Sequence, residues 1–399
     1  MNKIYNTAII GGGASGLISG VELTRGENAL SGEEVIILER NDRVGKKLIA
    51  TGNGQGNLTN ANLSGEFFHG DRAFINAFLE HAEIINLPKY LEDLGIPLCF
   101  DSQGRGYPLS KQASAVLDAI RAFLLSKGVK EQTGVTVERI EKSKGLFTIY
   151  TDGQEYFAKH VILSTGGNAG KQFGTDGKGY LIAEKLGHKK TALYPSLVQL
   201  KTQTDSIRSL KGLKETARVT CYADGKKVKS AVGDILFTDY GVSGNTVFSV
   251  SSGIADCKNA YLIVEFLPDL SFERVVEIIE NRKKLKYIEE KDLLSGVLNK
   301  RVGQAVLKTA KSNSVKDIAY AIKNFRLSVT GSTGFNYAQV TRGGIKTDKI
   351  DKNTYQSTLV KDLYLTGEIL DVDGDCGGYN LTFAFLSGIV AAKSVKEDL

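Results

Sequence analysis

The stretch Tyr5-Asn6-Thr7-Ala8-Ile9-Ile10-Gly11-Gly12-Gly13-Ala14-Ser15-Gly16 decides the fold. Its first half is an apolar run suited to a buried strand, and its second half is a G-x-G-x-x-G turn. A second apolar strand, Val35–Leu38, ends in Glu39, 23 positions after Gly16. Gly11 permits the tight turn, Gly13 lets the backbone approach a pyrophosphate, and Gly16 lets the following helix lie close on its strand. Gly13, Ala14, Ser15 and Gly16 then meet the phosphates at a helix N-terminus, where unpaired N–H groups and the macrodipole favour negative charge. Glu39 accepts hydrogen bonds from ribose hydroxyls, which favours a free 2′-OH over a 2′-phosphate. Glycines alone are a weak signal. Two strands and an acidic residue in register with them point to a dinucleotide site.

The bulk properties narrow the classes. At 399 residues the chain exceeds the roughly 250–300 residues of one hydrophobic core, so two or three domains are expected. No run approaches the ~18 apolar residues of a membrane span, so no membrane partner is expected. The first strand starts at once, so the sequence reads as having no signal peptide and a cytoplasmic location. Cys99, Cys221, Cys257 and Cys376 are widely spaced with no C-x-x-C pair, which fits a reducing compartment. His69, His81, His160 and His188 show no ligand spacing, and no metal is expected. The net charge of +6 suits either a lysine-rich surface or an anionic partner such as RNA; charge alone does not choose.

Along the chain, β-α-β is followed by a glycine-rich loop, Thr51–Asn57, and by helical stretches at Arg72–Leu94 and Ser110–Lys127. Strand-like runs follow at Thr136–Ile140, Leu146–Tyr150, Glu155–Phe157 and His160–Ser164, the last entering Thr165-Gly166-Gly167, where glycine allows a ligand close to the backbone. From about Leu193 the pattern alternates, as at Ala217–Tyr222, Ile235–Phe237 and Ala260–Phe266, which predicts an antiparallel β unit. Ser271 or a neighbour is placed to cap a helix through Arg282, and charged helices run to about Asn324. Leu363–Thr366 is another apolar strand, feeding Gly367-Glu368. The apolar helix Leu381–Val395 needs the N-terminal sheet to lie on. The dinucleotide domain is therefore expected to be discontinuous, with residues ~190–335 inserted.

Several motifs in one order carry a resemblance. They are Lys46-Lys47-Leu48, Thr51-Gly52-Asn53-Gly54, Asn57-Leu58-Thr59-Asn60, Leu236-Phe237-Thr238, Gly241-Val242-Ser243-Gly244, Ala338-Gln339-Val340-Thr341, Gly343-Gly344, Gly367-Glu368, Asp371-Val372-Asp373-Gly374 and Gly377-Gly378-Tyr379-Asn380. The chain resembles the bacterial three-domain flavoproteins labelled BaiN/RdsA-like or aminoacetone-oxidase-like. The resemblance implies FAD, an α/β fold with a discontinuous Rossmann-type FAD-binding domain, an inserted antiparallel β-barrel-like domain and a small helical domain. The expected boundaries are 1–190 and 339–399 for the FAD domain, 191–270 plus 325–338 for the β insert, and 271–324 for the helices. One loop departs from the pattern. The family reads T-G-x-G-R-C-N, whereas Gln55-Gly56 precede Asn57 here, so a cation and a thiol are missing.

On this reading the cofactor-binding residues are Gly11, Gly13, Ala14, Ser15, Gly16, Glu39, Arg40, Lys47, Leu48, Thr51, Gly52, Asn53, Gly54, Asn57, Val135, Thr165, Gly166, Gly167, Gly367, Glu368, Gly377, Gly378, Tyr379, Asn380 and Leu381. Val135 meets the adenine, Gly367-Glu368 follow the ribityl chain, and Gly377–Leu381 face the flavin pyrimidine ring from a helix N-terminus. Candidate proton donors are Cys376 and Tyr379, each also readable as a packed side chain, and Arg342 is a candidate cation. No second G-x-G-x-x-G follows a strand, so NAD(P)H either docks transiently over the flavin or gives way to another donor. The resemblance offers reduction of a C=C bond in 23S rRNA uridine, reduction of a steroid or bile-acid enone, or oxidation of an amino ketone. Basic charge and large inserts favour ribosomal RNA, with lysines and arginines from Arg282 to Lys311 as its docking face. A small-molecule enone, an amino ketone for a flavin oxidase, and a non-enzymatic flavoprotein that binds RNA or a partner are the alternatives.

Overall fold

The Ile4–Ile10 run is the inner strand that its apolar pattern predicts. It pairs in parallel with Val35–Leu38 on one side and with Glu155–Leu163 on the other, with Ile9 opposite Ile37 and Ile162. Ile9, Ile37 and Ile162 are all fully buried, each contributing about 1.5–3 kcal/mol. The computed structural model describes residues 3–254, 257 and 259–398. The chain divides into two units: Met1–Tyr194 with Val340–Leu399, and Pro195–Gln339.

In the first unit the Lys130–Gln132 strand extends the sheet beyond Val35–Leu38. Leu363–Leu365, from near the C-terminus, pairs in parallel with Glu155–Leu163, Val161 standing opposite Leu363. The Rossmann-type domain is thus discontinuous. Residues 155–157 and 160–164, expected as two strands, are one nine-residue strand, Glu155–Leu163. Its first half pairs antiparallel with Leu146–Thr151 while its second half pairs parallel with Ile4–Ile10. Two partners of opposite direction account for the change of pattern along it.

The helical stretch expected at Arg72–Leu94 is broken. Helices Arg72–Ile85 and Leu87–Glu92 meet at Asn86, which is left-handed (φ 50°) and caps the second helix by accepting from Lys89 N–H. Pro88 has no N–H and restricts Leu87, so the first helix cannot continue through them. The last helix, Tyr379–Glu397, lies chiefly on the first helix, Ala14–Leu23, and also touches the short strands Thr59–Asn60 and Val372–Gly374. A Cβ at Gly388 would stand 2.5 Å from Ser15 O, and Ser19 Oγ donates to Gly388 O at 3.1 Å. Glycine sets that close approach.

In the second unit a closed antiparallel barrel runs Leu200–Thr202, Gly241–Ser243, Lys226–Phe237, Lys214–Ala223, Ala260–Glu265 and Phe325–Ser332. Helices Phe272–Lys283, Lys300–Thr309 and Val315–Lys323 share its hydrophobic core through Val275, Val306 and Ile322. Ser271 caps the first of them, its hydroxyl accepting from Arg274 N–H at 3.2 Å.

Candidate functional site

The glycine turn closes as its spacing requires. Gly11 is left-handed (φ 107°), and a Cβ there would meet Ser164 O at 2.5 Å. A Cβ at Gly16 would meet Gly11 O at 2.0 Å, whereas one at Gly13 meets nothing within 4 Å. Gly13 therefore borders open space at the N-cap of the Ala14–Leu23 helix. That helix has no side-chain cap and no acidic residue in its first turn. Its first intrahelical bond runs from Leu17 N to Gly13 O, so the N–H groups of Ala14, Ser15 and Gly16 are left to an outside acceptor. Ser15 Oγ donates to Thr366 Oγ1 (2.8 Å), which brings Gly367 against this turn.

Glu39 is 7% exposed and already well occupied. Its Oε2 accepts from Gly12 N–H and its Oε1 from Asn41 N–H and Nδ2, each at 2.8 Å. A carboxylate has about four acceptor positions, so one remains for a hydroxyl. Val135 N–H donates to Glu39 O (3.0 Å), which sets Val135 beside it. Arg40 turns to Asp176 at 2.5 Å.

A second cluster joins remote segments. Lys47 Nζ reaches Glu368 Oε2 (2.6 Å) and Ala169 O (3.2 Å), and Glu368 Oε1 accepts from Thr341 N–H (2.8 Å). Thr341 Oγ1 accepts from the N–H groups of Asn168 and Ala169. A Cβ at Gly167 would strike Thr341 Oγ1 at 2.5 Å, so position 167 fits only as glycine. Thr165 Oγ1 is buried without a hydrogen-bond partner among the described residues.

The third cluster opens the last helix. Gly377 (φ 140°) and Gly378 (φ 100°) are both in conformations that favour glycine, and a Cβ at Gly378 would stand 2.2 Å from Thr59 O. Asn60 Nδ2 donates to Gly377 O (2.9 Å), and Asn57, oriented by its neighbours, donates to Thr59 O and accepts from Gly378 N–H, both at 3.1 Å. The last helix, like the first, begins with no side-chain cap and no acidic residue in its first turn. Thr51 Oγ1 bonds Leu48 O at 2.7 Å, and Gly52 and Asn53 are left-handed (φ 58° and 55°), with Gly54 following at 84°. This loop and Asn57 lead into the Thr59–Asn60 strand.

Two of the expected side chains look inward. Tyr379 is 5% exposed, stacked on Phe67 at 4.7 Å and edge-on to Phe68, and burial pushes its phenol up to about 12. Asn380 bonds Gly374 N–H and O, so its amide fixes the preceding turn; Leu381 follows, partly buried. Two residues that sequence reasoning passed over join the cluster. In the Arg105–Pro108 strand, Arg105 stands opposite Asn60, and both Arg105 and Tyr107 lie within electrostatic reach of Cys376. Only the pairing of two short strands brings them there, and neither strand has a strong pattern. Burial raises the Tyr107 phenol.

A family model described as the HI0933-like protein Rossmann domain matches residues 5–394. The chain belongs to this family. The motif resemblance to BaiN/RdsA-like flavoproteins agrees with it, and this HI0933-like protein is a flavin-dependent oxidoreductase. Over its full length it is 34% identical to the full length of the 3-dehydro-bile acid delta(4,6)-reductase of Clostridium scindens. It is 24% identical, again over both full lengths, to the ribosomal RNA dihydrouridine synthase of Haemophilus influenzae. Its fold is similar to the 3-ketosteroid-delta4-(5alpha)-dehydrogenase of Rhodococcus jostii, with a TM-score of 0.51 at 15% identity, covering 98% of this chain and 97% of that one. The residues present fit FAD: two glycine-capped helix N-termini lack acidic groups, Gly13 leaves open space, and Thr165 Oγ1 lacks a partner among the described residues. Among the described residues no group of His, Cys, Asp or Glu is arranged to hold a metal, and no helix is long and apolar enough to cross a membrane.

Proposed function

We propose that this HI0933-like flavoprotein reduces an activated carbon–carbon double bond, and that its substrate is a small conjugated enone. The observation that carries the reading is the pair of helix N-termini left open to negative charge, at Ala14–Gly16 and at Tyr379–Leu381. The first would hold the pyrophosphate and the second would face the flavin pyrimidine ring. Glu39 holds the ribose, with Val135 at the adenine, and Gly367-Glu368, steadied by Lys47 and Thr341, follow the ribityl chain. When bound, FAD would supply the hydride for this reduction.

The chain's own residues supply the rest. Positive dipole at the last helix favours negative charge at that end of the site, where Arg105 is paired with Asp101 at 2.7 Å. Tyr107 and Cys376 are the proton-bearing side chains gathered there, suited to protonating the α-carbon. Tyr379 is a wall: its ring is held by Phe67 and Phe68. NAD(P)H is the proposed transient electron donor.

Ribosomal RNA is the second reading, favoured by the exposed lysines Lys284, Lys286, Lys308 and Lys311. Several of the neighbouring cations are engaged, however. Arg282 bonds Leu293 O, Arg301 bonds Ser209 O and Lys211 O, and Lys300 meets Asp292. The bile-acid reductase is also the nearer of the two relatives, at 34% against 24% identity. Nucleoside mass spectrometry of 23S rRNA, with and without this gene, separates the two. Unchanged dihydrouridine supports the enone; its loss makes uridine the substrate.

A further inference from the structure

The segment Asp371-Val372-Asp373-Gly374-Asp375 carries carboxylates at alternate positions, which a strand directs to one side. Val372–Gly374 pairs antiparallel with Phe68–Gly70, and Asp373 stands opposite His69. His69 Nε2 lies 3.1 Å from Asp375 Oδ1, and its charge also reaches Asp373. The His69 side chain is 31% exposed, whereas Asp373 is 3% exposed. Asp373 Oδ1 lies 3.5 Å from Arg342 Nε, and its Oδ2 is buried with no hydrogen-bond partner among the described residues. A buried carboxylate oxygen without a donor is unfavourable, and a proton relieves it.

The groups around Asp373 set its balance. Burial pushes its carboxyl up to about 6, opposed by Arg342 and His69 and aided by Asp371. Asp371 is itself raised by burial, against a Thr191 hydrogen bond and the charges of Arg342 and Lys346. Arg342 follows Thr341, whose N–H holds Glu368. Along the chain, Asp373 falls between Gly367-Glu368 and Gly377–Leu381, the two segments proposed to hold the flavin.

We propose that Asp373 is a positioning residue for the reduction: ionised, it holds the Arg342 guanidinium; protonated at Oδ2, it releases that charge toward the substrate. The proton comes from water and returns to it: an O–H bond forms at Asp373 Oδ2 as one breaks in hydronium, with no change of oxidation state. The proposal rests on the reductase reading, in which the substrate carbonyl gains negative charge as hydride arrives.

The test uses the full chain without FAD or substrate, so its failure is distinct from failure of the reductase reading. An infrared pH titration of wild type is expected to show a protonated-carboxyl band growing as the pH falls through about 6, and Asp373→Asn to lack it. In protein labelled with ¹⁵N at arginine Nε, the Arg342 signal, assigned by its loss in Arg342→Lys, is expected to move with the same midpoint. In Asp373→Asn it stays fixed. If Asp373→Asn does not fold, His69→Gln carries the test, because loss of a cation moves the carboxyl midpoint upward. A band retained in Asp373→Asn, an Arg342 signal that ignores pH, or an unmoved midpoint in His69→Gln overturns the proposal.

Discussion

Lys47 Nζ lies 2.6 Å from Glu368 Oε2, although 321 residues separate them in sequence. This pair, both members less than a third exposed, ties the short helix Lys46–Ile49 to the segment returning from the C-terminus. Lys47→Ala leaves the Glu368 carboxylate with one donor fewer. The expected loss is about 1–3 kcal/mol of stability, read by thermal unfolding, together with weaker FAD retention in equilibrium dialysis. Unchanged values for both would remove the pair from the site.

Gly13 and Gly16 separate cofactor binding from folding. Gly13→Glu adds a side chain into open space and sets a carboxylate against the pyrophosphate position. It is expected to fold with wild-type circular dichroism and to lose the 450 nm flavin band. Gly16→Ala drives a Cβ into Gly11 O. That overpacking should cost on the order of 3 kcal/mol or more and lower the unfolding midpoint with or without FAD. A full flavin band in Gly13→Glu would refute the N-terminal assignment.

Tyr379 distinguishes a wall from a proton donor. Tyr379→Phe keeps the contacts with Phe67 and Phe68, so its turnover is expected to stay within about threefold of wild type. Tyr379→Ala empties a buried aromatic place and should cost about 3–5 kcal/mol. A large fall in kcat for the phenylalanine variant, at unchanged KM and stability, would make the hydroxyl the donor.

Asp373 also gives stability a pH dependence. Its carboxyl is raised to about 6 in the folded chain from an ordinary value of 3.8. The folded state therefore holds the proton more tightly. The resulting stabilisation is fully present below about pH 4 and is lost as the pH rises through about 6. By this linkage it is worth on the order of 3 kcal/mol. Asp373→Asn should flatten that slope in urea unfolding measured across the window. An unchanged slope would assign the titration to other groups.

Much of this could be read from the sequence because it is local chemistry. The glycine turn, Glu39 at the end of the second strand and Gly377-Gly378 before the last helix each need their residue type for backbone reasons. The cap at Ser271 follows the same logic. What could not be read depends on partners distant in sequence. Asn86 and Pro88 break a helix whose periodicity runs on past them. The last helix finds the first helix through Gly388 and Ser15, a contact no pattern marks. Arg105 and Tyr107 reach Cys376 through a strand of four residues paired with one of two, too short to carry a periodic signal.

The most direct test of the central claim is anaerobic. The FAD-loaded protein is photoreduced, then mixed with a 3-oxo-4-ene bile acid, while absorbance at 450 nm and product mass are followed. The account predicts return of the oxidised flavin band and a product heavier than the substrate by two hydrogens. A flavin that stays reduced with the enone, yet is reoxidised by protein-free 23S rRNA, would contradict it.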